Sequence, residues 1–81
     1  MIKTILFIYL ELFTIRHYRD YDLSSLKSAR EFISKCISDN EDYLVFKIKC
    51  YGTAVMLNPI EYAIIRDFIS YLNDIDKYLK I

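Results

Sequence analysis

The segment from Leu57 to Ile81, LNPIEYAIIRDFISYLNDIDKYLKI, constrains this chain most, because four separate signals fix where it starts as a helix. Asn58 supplies a side-chain oxygen for an unpaired N–H of the first turn. Pro59 follows at the first helical position, where its missing N–H costs nothing and its φ is already set. Glu61 stands third, completing a capping box and placing negative charge at the positive end of the helix dipole. Leu57 and Tyr62 occupy the two positions of a hydrophobic staple.

At a period of 3.6 residues, Arg66, Ser70, Asn73 and Lys77 share one polar face. Ile64, Ile65, Phe68, Leu72, Ile75 and Leu79 lie opposite. Ile60, Tyr71 and Tyr78 widen the apolar arc on one side, and Ile69 and Tyr62 on the other. An arc of about half the circumference exceeds the ~100° stripe that one core needs. The repeats DFISYLN (67–73) and DIDKYLK (74–80) align the tyrosines at seven-residue spacing, as along a coiled-coil seam. The surplus predicts self-association, with Ile60, Ile64, Tyr71, Tyr78 and Ile8 as the expected dimer contacts.

With 81 residues, the chain reads as one domain over residues 1–81. A chain of that size buries only about 60–65% of its unfolded surface. Eleven basic and eleven acidic side chains give zero formal charge. A neutral chain lacks the long-range pull on phosphate polymers that drives non-specific nucleic-acid binding. Neutrality also weakens the repulsion between copies.

The first residues, MIKTILFIYLELFTI, have the outline of a signal peptide. Glu11 interrupts the apolar run, however, and no small-residue cleavage site follows. The run from Ile5 to Leu10 is also too short to span a bilayer. A cytoplasmic protein with no membrane contact is expected. The β-branched and aromatic content there (Thr4, Ile5, Phe7, Ile8, Tyr9) favours a strand.

Read in order, residues Ile2 to about Tyr18 form a long first strand, apolar on both faces in its first half. Asp22 to Ser25 offer caps for a helix ending near Ser38, with Leu26, Ala29, Ile33, Cys36 and Ile37 on one stripe. Lys27, Glu31 and Lys35 back it as an i,i+4 ladder. Asp39 to Asp42 form a polar turn. Tyr43 to Tyr51 alternate as a second strand, with Leu44, Phe46, Ile48 and Cys50 inward. Gly52 marks a hairpin or bulge, and Thr53 to Leu57 make a third strand. The expectation is an α+β fold: a two-layer βαββα sandwich with a small three-stranded sheet and two helices on one face.

No catalytic constellation is legible. His17 is the single histidine, one glycine cannot build a phosphate loop, and two cysteines with one histidine do not make a zinc site. No enzyme activity, metal or cofactor is expected. Cys36 and Cys50 read as buried thiols, and spacing leaves open whether they form a disulfide.

The best polar cluster is Arg16, His17, Tyr18, Arg19 and Tyr21 at the end of the first strand. Lys47, Lys49 and Tyr51 project from the second. Adjacent strands would merge them into a basic-aromatic patch of the kind that anchors interfaces or stacks on bases. The leading expectation is a small homodimeric docking module that binds another protein, of the kind viruses and mobile elements use to inhibit a host system. The alternatives are a nucleic-acid-binding accessory protein using that patch, and a small-ligand or hydrolytic role around His17.

Overall fold

A computed structural model describes residues 2–17, 22–40 and 42–79, with side chains described at residues 3–17, 22–40 and 42–75. Four α-helices account for nearly all of it: α1 (Ile2–His17), α2 (Leu23–Asp39), α3 (Tyr43–Ala54) and α4 (Pro59–Leu79). No strand occurs among the described residues. The expected βαββα sandwich is therefore wrong, and the protein is all-α.

Each strand expected from sequence has a helical explanation. The segment expected as strand one is α1. Leu6, Leu10 and Phe13 recur at spacings of four and three, and all three are buried. The segment expected as strand two is α3, whose Phe46, Cys50 and Ala54 recur every four residues on the buried side. Asp42, read as part of a turn, is the N-cap of α3, its carboxylate accepting from the Val45 N–H at 3.0 Å. Gly52 lies inside α3 rather than at a hairpin. The third strand dissolves into the end of α3 and a tight turn, where the Met56 and Leu57 N–H groups bond the Thr53 and Ala54 carbonyls.

The two helices expected from sequence are present. The Asp22 carboxylate caps α2 by accepting from the Ser25 N–H at 3.1 Å. Leu26, Ala29, Ile33 and Ile37 are its buried stripe. At the start of α4, Asn58 Oδ1 accepts from the Glu61 N–H at 2.9 Å, and the Asn58 side-chain amide donates to the Glu61 carboxylate. Glu61 also accepts from the Ser28 hydroxyl at 2.6 Å, which ties the start of α4 to α2. The polar face of α4 is outward: Arg66, Ser70 and Asn73 are all exposed.

Packing runs up-down-up-down. Lys3 donates to the Ser38 carbonyl and Arg30 pairs with Glu11, so α1 and α2 are antiparallel. Lys47 donates to Asn73 Oδ1 at 2.9 Å and the Tyr51 and Tyr62 hydroxyls bond at 2.7 Å, so α3 and α4 are antiparallel as well. The bundle is not square. α2 and α4 make the most extensive contact, across the short diagonal, and α1 and α3 occupy the two far corners, where they barely touch. Twenty-one residues of α4 give about 32 Å of helix, matching the 32 Å long dimension of the molecule.

The core is filled by Phe13, Phe46, Phe68, Ile33, Ile37, Ile64, Ile65 and Leu72. The wide apolar arc of α4 is explained within one chain, since three helices cover it. α2 meets its centre, α1 meets the Tyr71 flank, and α3 meets the Ile69 and Tyr62 flank. Phe13 sits 5.3 Å from Phe68 and 5.8 Å from Tyr71 between ring centres, an edge-on and tilted cluster that locks α1 to α4.

Candidate functional site

The bundle takes the expected basic-aromatic patch apart. Arg16 and His17 end α1 and face α4 across a shallow depression shared with Asp67, Ser70 and Asp74. Lys47 lies on the other flank of α4, bonded to Asn73 and poised 4.5 Å over the Tyr43 ring. Lys49 borders a different depression between α2 and α3, with Lys35 and Asp39. Tyr51 turns to Tyr62 on α4. Tyr18, Arg19 and Tyr21 lie outside the described residues. A patch that depended on neighbouring strands has no counterpart when those strands are helices at opposite corners.

His17 is held by its own helix. Its Nδ1 lies 3.1 Å from the Phe13 carbonyl, which can only accept, so Nδ1 carries the hydrogen. The ring lies against Phe13 with centres 4.2 Å apart. Asp67, Asp74 and Ser70 share the depression, but the orienting position of a triad is already taken by a backbone carbonyl. Every described neighbour sits within a helix, so among the described residues lining the depression no backbone N–H is offered to an oxyanion. Among the described residues, no three His, Cys, Asp or Glu side chains converge as a metal site.

Cys36 and Cys50 meet where α2 packs on α3. Both are free thiols, and each lies close enough to influence the other's titration. Burial pushes both above the ordinary value, Cys50 further than Cys36, so neither is an activated thiolate. No buried side-chain N or O lacks a partner among the described residues.

The expected dimer contacts divide. Ile64 is 1% exposed and belongs to the core. Tyr71 is packed between Tyr9, Phe13 and Phe68. Ile60 and Ile8 are exposed, each by about half. The Tyr78 side chain lies outside those described.

Surplus apolar surface does exist, but it lies on the two helices that sequence assigned to strands. Along α1, Ile5, Ile8, Leu12 and Ile15 are all exposed, Ile15 by 72%. They follow at spacings of three, four and three, on the side of the helix away from Leu6, Leu10 and Phe13. Along α3 and its end, Leu44, Ile48, Tyr51 and Val55 are exposed at spacings of four, three and four, Ile48 by 72%. Met56, 83% exposed, extends that row into the turn. Both rows alternate spacings of three and four residues, as along a helix–helix seam. The same sequence positions carry this signal from the start, but it becomes visible only once the segments are known to be helical. No helix among the described residues is long and apolar enough to cross a membrane.

The fold and surface together define a small four-helix bundle with two outward apolar seams at opposite corners. Comparison with protein-family models, with curated proteins and with solved structures found no match.

Proposed function

We propose that this protein is a non-enzymatic docking module, a rigid helical body that presents apolar faces to other polypeptides. The observation that carries the reading is the pair of exposed apolar rows on α1 and α3, each at helix-seam spacing. Scattered single apolar residues on a surface mean nothing, but contiguous rows mark interaction sites. A groove-lined face or helix partner is read through anchors at such spacings. The aromatic edge of the α3 row, Tyr51 against Tyr62, adds the residue type that gives large contact area for little lost entropy. The separation of Arg16 from Lys47 and Lys49 gives nucleic-acid binding no comparable support.

The α3 face is tested with Leu44→Lys/Ile48→Lys. Both side chains are exposed, so the helical content and melting temperature should stay close to those of the parent. Tagged parent and variant are used to capture proteins from lysate after nuclease treatment. The reading expects a stoichiometric protein retained by the parent and lost from the variant. Identical recovery by both, or recovery only before nuclease treatment, would overturn it.

A further inference from the structure

We infer that α1 is a self-association seam through which copies of this chain pair in parallel and in register. The inference rests on the reading of α1 as a docking face and adds what covers it. Ile5, Ile8, Leu12 and Ile15 fall at positions a, d, a and d of two heptads. Leu6, Leu10 and Phe13 on the opposite side are buried in the core of their own bundle, so the seam points directly outward. Nothing in the bundle has to open for a second α1 to reach it.

Charge selects the partner and its direction. With Ile5 at a, Glu11 falls at g of the first heptad and Arg16 at e of the second. In a parallel pair in register, each g residue meets the e residue five positions further along the other helix. Glu11 of each copy then faces Arg16 of the other, giving two symmetric ion pairs. The 3-4-3 spacing would also fit an antiparallel pair, but that arrangement sets g against g and brings Glu11 towards Glu11. Like charges in that position are repulsive.

Glu11 already pairs with Arg30 of α2, yet both side chains remain about half exposed. A carboxylate has acceptor sites for a second donor. Arg16 is exposed too, although it borders the depression that holds Asp67 and Asp74. Exposed ion pairs contribute little energy. They act here by penalising the wrong orientation, while the isoleucine and leucine layers supply the attraction. Those layers do not restrict assembly to two strands, since Ile at both a and d also suits a third.

A lipid surface is a poorer occupant. Glu11 and Arg16 flank the row on both sides, and an anion beside the apolar face disfavours burial among acyl chains. The area is modest. Four partly exposed aliphatic side chains present an apolar patch of a few hundred Å², below the ~800 Å² per partner of a standard interface, so association on the order of micromolar is expected.

Sedimentation equilibrium or light scattering at high-micromolar concentration reads the mass. The parent protein should show two or three chains, and Leu12→Lys a single chain with unchanged helical content. Leu12→Ala, which introduces no charge, should weaken association about tenfold or more. Orientation is read with Ile8→Cys. Mild oxidation should join position 8 of one copy to position 8 of another, and an equal mixture of Ile8→Cys and Leu12→Cys should give no mixed species in excess of the two self-joined ones. A charge reversal, Glu11→Arg, should weaken assembly, and adding Arg16→Glu should restore it.

A single-chain mass for the parent at every concentration overturns the inference, as does assembly that Leu12→Lys leaves intact. Preferential joining of position 8 to position 12 overturns the parallel arrangement. Assembly insensitive to Leu12→Lys would move the seam elsewhere while leaving α3 docking standing. A single-chain parent that binds vesicles of neutral phospholipid through α1 would defeat the self-association seam and the docking reading of α1 together.

Discussion

Gly52 is the only glycine in the chain, and it occupies the last turn of α3, where a Cβ would meet nothing within 4 Å beyond its chain neighbours and its own helix backbone. Glycine inside a helix destabilises it by about 0.5–1 kcal/mol relative to alanine, through the extra freedom of the unfolded chain. Nothing in the packing of this bundle offsets that loss. Gly52→Ala is therefore expected to stabilise the protein by about 0.5–1 kcal/mol, and in a domain of this size each kcal/mol raises Tm by about 4–8 °C. A lower urea midpoint for Gly52→Ala would show that the position is not the open helical site described here. The position also borders Ile48, so any loss of docking in the same variant reports close approach of a partner to α3.

At the scale of elements, the contact between α2 and α3 sets an alkaline limit. Cys36 and Cys50 both titrate above the ordinary thiol value of 9.0, chiefly because burial disfavours the thiolate. Below pH 9 both folded and unfolded states hold these protons, and the contribution to stability is complete. Above it the unfolded chain releases protons that the folded chain keeps, so stability falls as pH rises. From pH 9 upward the urea midpoint of the parent should fall, with tyrosines, whose ordinary value is about 10, adding to the change at the top of the range. Cys50→Ala should start lower, by about 1 kcal/mol or more for the lost buried sulfur, yet follow a flatter profile. Parallel profiles would sink the assignment. The Tyr51–Tyr62 bond raises the Tyr62 hydroxyl in the same sense, at higher pH.

The elements also show what could be read from the residues. α2 and α4 were legible because each has one apolar stripe, one polar back and a capped start, as Asp22 and Asn58 show. α1 and α3 were not, because apolar residues on both sides erase the 3.6-residue period. An uninterrupted run from Ile2 to His17 is longer than almost any strand, and that length was the better guide. In α3 the alternation of Leu44, Phe46, Ile48 and Cys50 imitates a strand. Only Phe46 and Cys50 of the four face the core. The candidate surface suffered the same way. The excess of apolar surface is legible both in the two-faced first segment, where Ile8 is exposed, and in α4, whose wide face three neighbours cover instead.

For the whole molecule, the rhombic arrangement decides which surfaces can act together. Helices at opposite corners cannot share one patch, so Arg16 and the Lys47–Lys49 pair work separately if they work at all. The same arrangement leaves α1 and α3 free to engage different partners at once, one at each end of the long diagonal.

The order of helix contacts has a further consequence, in time rather than in space. Every helix packs on its neighbour in sequence, α1 on α2, α2 on α3 and α3 on α4, and the turn joining α3 to α4 is short. Each docking step therefore closes a small loop, whose entropy penalty is slight, and no strand has to search for a distant register. Refolding from urea should be a single phase finished within milliseconds, followed by stopped-flow circular dichroism. A main phase slower than about a second would mean that the bundle is not assembled from neighbouring pairs. Fast closure also shortens the interval in which the inner and outer apolar rows of α1 are exposed together, when they could be buried the wrong way round.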